Sequence, residues 1–317
     1  MPQSAQLAFV FPGQGSQSLG MLGELATRFA SVRASFDEAS AGCGLDLWSL
    51  SQSGPESELN RTEVTQPALL AAGVAVYRVW SRELNGTPPA ALAGHSLGEY
   101  TALVCAGALT LADAAALVRE RGRLMQAAVP QGGGAMAAIL AADDALIAQA
   151  CADAAQEQIV SPANFNSPGQ TVIAGNAEAV ERAIALLAER GVRKAIRLPV
   201  SVPSHCALMK PAAEALQQYM TTLDWSLPSL PVIQNADAQA HASIDAIQQA
   251  LVRQLYLPVR WTECVQALAQ RGVTRFGECG PGKVLAGLVK RIDKSLDARA
   301  LGVGAEIDLA LNDWKTT

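Results

Sequence analysis

Short apolar runs alternate with helical patterns along most of the chain. Gln6–Phe11 is an apolar run that ends at a Pro-Gly pair, and Ala90–Ala93 is a second short run. Both are predicted to be buried strands followed by tight turns. Further strands are predicted at Pro231–Asn235 and Thr274–Glu278, with helices around them. This alternation favours an α/β body built on a parallel sheet.

The pattern changes at Pro130–Gly134 and stays different for about one fifth of the chain. The order there is strand, helix, strand, strand, helix, strand, over Ala135–Leu140, Asp143–Ala154, Ile159–Asn164, Gln170–Ala174, Ala177–Arg190 and Arg193–Leu198. That order is typical of a ferredoxin-like unit. We therefore predict a small inserted subdomain at residues 129–201, within a larger subdomain formed by residues 1–128 and 202–317.

Composition restricts the classes of function. Half of the residues are apolar, 17% are charged, and the formal net charge is −5, so a nucleic-acid-binding protein is not expected. The six cysteines form no C-x-x-C pair, which argues against a zinc site. The chain shows neither a basic signal region nor an apolar stretch of membrane-spanning length. We expect a soluble cytoplasmic protein with no membrane association, no metal and no cofactor.

A candidate nucleophile lies directly after the second apolar run. Gly94-His95-Ser96-Leu97-Gly98 is a G-x-S-x-G pattern placed between a predicted strand and a predicted helix. A nucleophile elbow requires that context, because it holds the serine hydroxyl on a sharp turn at a helix N-terminus. The amide of Leu97 would then point towards a developing oxyanion. A turn with an ordinary helix-capping serine is the alternative interpretation.

A serine nucleophile needs a base, and the chain has three histidines, His95, His205 and His241. His241 lies in a polar stretch, and an elbow turns His95 away from the neighbouring serine. We therefore favour His205, which follows the serine in chain order as the base does in α/β hydrolases. Asp224 and Asp237 are candidates for the third member by order only. A backbone carbonyl could orient the imidazole instead.

At this point several motifs carry a resemblance to a known family. In this order and spacing, they resemble the malonyl-CoA:acyl carrier protein transacylases of type II fatty acid synthesis. The likeness covers nearly the whole chain and is specific because the motifs occur together. They are Phe11–Gln17 (FPGQGSQ), Gly94–Glu99 (GHSLGE), Arg121–Met125 (RGRLM), Asn164–Gln170 (NFNSPGQ), Val202–His205 (VPSH), Gln254–Tyr256 (QLY) and Gly280–Lys283 (GPGK).

The resemblance implies a fold, an activity and a set of site residues. The fold would be an α/β-hydrolase-like large subdomain with a ferredoxin-like insert. The activity would be malonyl transfer from malonyl-CoA, which releases coenzyme A, to acyl carrier protein, through a malonyl-serine intermediate. The implied roles are nucleophile for Ser96, general acid and base for His205, orienting main-chain carbonyl for Gln254, oxyanion-binding amides for Gln14 and Leu97, and carboxylate binding for Arg121.

Spacing alone does not choose among Arg119, Arg121 and Arg123, which lie on one predicted helix. The resemblance selects Arg121, and its position four residues after Leu117 places it nearer the buried face. A guanidinium is suited to this role because it stays charged and offers a fork to both carboxylate oxygens. Docking of an acidic carrier would need a local basic patch, for which the candidates are Arg190, Arg193, Lys194, Arg197, Lys283, Lys290 and Arg291.

Three other functions compete with malonyl transfer. A serine esterase or thioesterase would share Ser96 and His205 but would need no carboxylate-binding arginine. A malonyl-transfer subunit of a malonate decarboxylase would keep the chemistry in another context. A non-catalytic acyl-binding protein would form no covalent adduct on Ser96.

Overall fold

The computed structural model describes residues 6–200 and 202–314. In chain order its strands are β1 (Leu7–Phe11), β2 (Ala91–Gly94), β3 (Gly134–Leu140), β4 (Val160–Ser167), β5 (Gln170–Asn176), β6 (Lys194–Arg197), β7 (Val232–Ile233), β8 (Arg275–Glu278) and β9 (Asp297–Ala300).

Helices surround both sheets that these strands form. They are α1 (Gly23–Arg28), α2 (Ala30–Cys43), α3 (Leu47–Ser53), α4 (Glu56–Leu59), α5 (Thr62–Arg78), α6 (Gly98–Cys105), α7 (Leu111–Ala127), α8 (Asp144–Ala155), α9 (Ala177–Glu189), α10 (Lys210–Met220), α11 (Ile244–Tyr256), α12 (Trp261–Gln270), α13 (Val284–Ile292) and α14 (Gly304–Trp314).

A five-stranded parallel sheet with the order β7-β2-β1-β8-β9 forms the centre of the larger unit. The middle strand β1 is buried along its whole length, as its apolar run predicts. Successive side chains of a strand point to opposite faces. Accordingly Phe9 and Phe11 pack into the core with α2, α5 and α7, whereas Ala8 and Val10 pack with α12 and α13. The prediction of a parallel-sheet α/β body is confirmed.

The second sheet is antiparallel, with the order β4-β5-β3-β6. Its strands and the helices α8 and α9 follow the β-α-β-β-α-β order of the ferredoxin-like prediction, which is confirmed. Ala137 and Ile139 of β3 pack under the two helices. Met136 lies on the opposite face with Val172 of β5. That opposite face is turned towards the larger unit, where it packs against Cys206.

The two units meet along a short main-chain contact. The amide of Phe165 donates to the carbonyl of Val259 at 2.9 Å, and the amide of Val259 donates to the carbonyl of Ala163 at 2.8 Å. Strand β4 of the insert is thereby fixed to the segment that leads into α12. The predicted boundaries at 128/129 and 201/202 stay predictions, and residue 201 lies outside the described residues.

The C-terminal part departs from the sequence prediction. After α13 the chain forms β9 and α14, neither of which was predicted. Strand β9 has four residues, two of them charged, and pairs only with β8 in the sheet order. So short and polar an edge strand leaves little apolar periodicity in the sequence. Its pairing with β8 is a tertiary contact.

Within residues 6–200 and 202–314, no helix combines the length and apolar character needed to cross a membrane.

Candidate active site

Ser96 lies on a sharp turn between β2 and α6. Its φ is 52°, a left-handed conformation that non-glycine residues seldom adopt. A Cβ at Gly94 would lie 1.8 Å from the carbonyl carbon of Gly98, and a Cβ at Gly98 would lie 1.9 Å from the carbonyl oxygen of Phe11. Glycine is therefore required at both positions, because α6 passes so close to the sheet. The G-x-S-x-G pattern thus forms the strand–turn–helix arrangement that it predicts.

His205 approaches the hydroxyl of Ser96. Its Nε2 lies 2.8 Å from Ser96 Oγ, and its Nδ1 lies 2.6 Å from the carbonyl oxygen of Gln254. A carbonyl oxygen only accepts hydrogen bonds, so Nδ1 carries the proton and Nε2 is left to accept from the serine. Burial and the positive charge of Arg121 lower the pKa of His205 to about 3. The imidazole is consequently neutral at pH 7.

Neither candidate aspartate serves as the third member of this arrangement. Asp237 accepts from Arg253 Nη2 at 2.8 Å and lies 3.1 Å from Nε2 of His241, while Asp224 is exposed at the end of the α10 segment. The main-chain carbonyl of Gln254 occupies the position that an aspartate would take. His95 is turned away from Ser96 and lies 2.8 Å from Asn166 Oδ1.

Arg121 is buried beside Ser96, with 1% of its surface exposed. Its Nη2 lies 3.3 Å from Ser96 Oγ and donates to Gln254 Oε1 at 3.0 Å, and its Nη1 donates to Gln66 Oε1 at 2.9 Å. The guanidinium carbon lies 5.3 Å from the centre of the Tyr100 ring. Nε has no hydrogen-bond partner among residues 6–200 and 202–314.

The structure distinguishes Arg121 from its two neighbours. Arg119 donates to the carbonyl of Cys43, and Arg123 forms an exposed ion pair with Glu120 at 2.6 Å. Only Arg121, among these three, lies beside Ser96. An arginine buried without a carboxylate bound directly to it is costly unless a ligand supplies the negative charge, and this site can therefore select an acidic acyl group.

The loop that carries Gln14 packs against the elbow. A Cβ at Gly13 would lie 2.6 Å from the carbonyl oxygen of His95, so glycine is needed for this close approach. Gln14 and Leu97 both line the cavity next to Ser96. This position is compatible with their implied role in binding an oxyanion, which stays a prediction.

A cavity of about 310 Å³ connects these groups. Ser96, His205 and Arg121 line it from the larger unit, and the insert supplies an opposite wall that includes Met136, Ala138, Asn164, Asn166, Val172 and Leu198. The described part of the chain holds no group of three or more His, Cys, Asp or Glu residues that could bind a metal ion. The cavity therefore brings together the hydroxyl of a serine, a neutral imidazole and a buried guanidinium.

Comparison with known proteins agrees with this geometry. The acyl transferase domain family matches residues 8–302. The malonyl CoA-acyl carrier protein transacylase of Escherichia coli (strain K12) is 56% identical over 306 residues, which cover 96% of this chain and 99% of that protein. The protein of the same name from Bacillus subtilis (strain 168) is 44% identical, with 98% of each chain covered. The chain belongs to the malonyl CoA-acyl carrier protein transacylase family.

Solved transacylase structures have the same fold. A crystal structure of malonyl-CoA:acyl carrier protein transacylase from Xanthomonas oryzae pv. oryzae superimposes with a TM-score of 0.97 at 64% identity, covering 98% of this chain and 99% of that chain. A malonyl-transacylase solved in complex with a type II polyketide synthase acyl-carrier protein gives a TM-score of 0.95 at 55% identity, with coverages of 97% and 99%. The family resemblance inferred from the motifs is confirmed.

The sequence analysis of this transacylase missed two residues of the site. Asn235 accepts from the amide of Ser96 through Oδ1 at 2.7 Å and donates to the carbonyl of Gly94 at 2.7 Å. Gln66 holds one arm of Arg121. Asn235 could have been suspected, because it follows β7 at the carboxyl edge of the parallel sheet, where ligands of such folds bind. Gln66 lies in the apolar part of α5, where nothing in the sequence indicates a functional residue.

Proposed function

We propose that this transacylase moves the malonyl group from malonyl-CoA to acyl carrier protein by way of a malonyl ester on Ser96. The observation that carries the proposal is the buried Arg121, whose Nη2 lies 3.3 Å from Ser96 Oγ. Malonyl differs from acetyl by one carboxylate, and a fixed buried cation favours the acyl group that bears it. A simple esterase has no need of this cation.

The first half-reaction loads the enzyme. His205 Nε2 takes the Ser96 proton as Oγ attacks the thioester carbon, and the resulting oxyanion is stabilised by the amides of Gln14 and Leu97. The C–S bond then breaks, and the thiolate of coenzyme A leaves with the proton that His205 returns. Throughout, the carbonyl of Gln254 stabilises the imidazolium by accepting from Nδ1.

The second half-reaction repeats these steps with a new nucleophile. The phosphopantetheine thiol of the carrier gives its proton to His205 and attacks the ester carbon. Ser96 Oγ leaves and regains a proton from His205, which completes a ping-pong cycle. Arg121 binds the malonyl carboxylate in both halves. We expect the apolar side chains of the insert wall, among them Met136, Val172 and Leu198, to limit the access of water to the ester.

We place the entrance for the acidic carrier at the start of α13. Among the basic candidates, Arg190 and Arg197 form ion pairs with Asp153 and Glu181. Lys283 is exposed next to Val284, which lines the cavity. A rim cation that forms no ion pair within residues 6–200 and 202–314 steers an acidic partner more effectively than one that is already paired. We further propose a cytoplasmic location, which the six free cysteines favour.

Intact-protein mass spectrometry tests the acyl-enzyme. After brief exposure to malonyl-CoA we expect one malonyl adduct on the wild type and none on Ser96→Ala, because alanine has no hydroxyl to acylate. Acetyl-CoA should label the wild type far less. An adduct that persists in Ser96→Ala, or rapid release of free malonate without a carrier, would contradict the proposal.

A further inference from the structure

A buried carboxylate lies three residues after the nucleophile. Glu99, in the first turn of α6, has none of its surface exposed. Its Oε2 accepts from the amide of Asn235 at 2.7 Å and from Gln254 Nε2 at 2.9 Å, and its Oε1 accepts from Gln234 Nε2 at 2.9 Å. The transfer steps described above make no use of this group.

Two of the residues that donate to Glu99, Asn235 and Gln254, also contact Ser96 or His205. Asn235 accepts from the amide of Ser96 at 2.7 Å. The same Gln254 Nε2 donates to the carbonyl of Ser96 at 2.9 Å, and the main-chain carbonyl of Gln254 accepts from His205 Nδ1. A single residue, either Asn235 or Gln254, therefore links Glu99 to Ser96, and Gln254 also links it to His205.

We propose that Glu99 is the acidic positioning residue of this site, which holds Ser96 in its left-handed conformation through Asn235 and aligns His205 through Gln254. The inference rests on the proposed function of Ser96 and His205. Ser96 has a φ of 52°, a strained conformation that persists only where neighbours enforce it. The contacts of Asn235 and Gln254 with the Ser96 amide and carbonyl supply that restraint.

The contacts fit an ionised carboxylate better than a protonated one. All three neighbouring groups point N–H donors at Glu99, and a carboxylate only accepts. A proton on Oε1 would face the amide nitrogen of Gln234. Gln234 would then have to turn its Oε1 towards Glu99, and its Nε2 would lose the hydrogen bond that it donates to the carbonyl of Ile247 at 3.2 Å. A proton on Oε2 would face the donors of Asn235 and Gln254, the two residues that contact the elbow. Protonation of Glu99 therefore disturbs these hydrogen bonds.

The surroundings of Glu99 have opposing effects on its pKa. Burial raises its pKa to about 7, although the hydrogen bonds from Gln234, Asn235 and Gln254 and the charge of Arg121 favour the anion. The other titratable groups that face it are Cys264 on α12 and Tyr100 on its own helix. Burial lowers the pKa of His205 to about 3, well below that of Glu99. Of these two groups, Glu99 is therefore the one expected to titrate near neutral pH.

Glu99→Gln is the direct test, because it keeps the shape and removes the charge. We expect kcat for malonyl transfer to fall by about 10²-fold, the size of effect that misplaced catalytic groups produce. KM for malonyl-CoA should stay within about two-fold, since Glu99 does not contact substrate. The wild type should lose activity as the pH falls through about 7, and this limb should be absent in Glu99→Gln.

Glu278→Gln is the matched control for the pH profile. Glu278 is equally buried, its pKa is also raised to about 7 by burial, and it accepts from the amide of Ala286 at the start of α13. Its variant should keep the acid limb. Should Glu99→Gln fail to fold, Asn235→Ala tests the same path, because it removes the contact with the Ser96 amide. It too should lower kcat and leave KM unchanged.

A folded Glu99→Gln with wild-type kcat and an unchanged acid limb would overturn the inference. So would a wild-type kcat in Asn235→Ala. If only Glu278→Gln loses the acid limb, the titration near pH 7 belongs to Glu278, and the inference for Glu99 is wrong. Failure of the proposed function is distinguishable, because it would appear in the wild type as the absence of a malonyl adduct on Ser96.

Discussion

The two sheets of this transacylase contribute to the cavity in different ways. The parallel sheet and its helices supply Ser96, His205 and Arg121, which meet within 3.3 Å of one oxygen atom. The antiparallel insert supplies a wall, with Met136 and Val172 on the face that is turned to the cavity. The polar groups proposed to react, with their fixed hydrogen bonds, lie on the side of the parallel sheet. The insert mainly determines the shape of the opposite side of the cavity. Changes in the larger unit should therefore act on kcat, and changes in the insert on KM.

Replacement of His205, the proposed base, should have the largest effect. His205→Gln keeps a polar side chain but cannot take the Ser96 proton, so we expect kcat to fall by at least about 10³-fold. Rapid-quench measurement of malonyl-enzyme formation checks this. A loss of ten-fold or less would show that another group acts as the base.

Arg121→Ala should change the choice of acyl group. We expect kcat/KM for malonyl-CoA to fall by about 10²- to 10³-fold, as for removal of one partner of a buried ion pair. Acetyl transfer should fall much less, because acetyl has no carboxylate to bind. Arg123→Ala is the matched control on the same helix, since its ion pair is exposed. Equal losses for malonyl and acetyl would mean that Arg121 only supports the fold.

The pH dependence of stability should report the burial of His205. Its pKa is about 3 in the folded protein, against an ordinary value of 6.5. The unfolded chain therefore binds more protons between these values, and low pH favours unfolding. The contribution of His205 is fully present above pH 6.5 and is lost as the pH falls towards 3. Urea unfolding should show a smaller loss on acidification in His205→Gln than in the wild type; equal losses would contradict the assignment.

The smallest effect is expected in the wall of the insert. Met136→Ala removes apolar surface that lines the cavity, so KM for malonyl-CoA should rise by roughly three- to ten-fold. The transfer rate at saturation should stay close to that of the wild type. Ile139→Val lies on the same strand but faces α8 and α9, and it should change stability without changing KM. A large loss of kcat in Met136→Ala would contradict the expectation that changes in the insert act on KM rather than on kcat.

Local pattern explains which parts of the fold could be predicted. The insert was predicted element by element because each strand and helix has its own periodicity and turn residues. The elbow was predicted because Gly94 and Gly98 are needed where α6 crosses the sheet. By contrast, β9 and α14 were not predicted. A short polar edge strand such as β9 is defined by its pairing with β8 rather than by its own residues.

The sequence by itself determined the order of strands and helices along the insert, the turn that presents Ser96, and the family motifs that single out His205, Arg121 and Gln254. Only the tertiary structure decided which groups touch. The contact of Ser96 with His205 joins residues 109 positions apart, and that of Arg121 with Gln254 joins residues 133 apart. Periodicity encodes the conformation of neighbouring residues. It carries no record of contacts across such distances, and so the hydrogen bonds that join Glu99 to Asn235 and Asn235 to Ser96 became visible only in the tertiary structure.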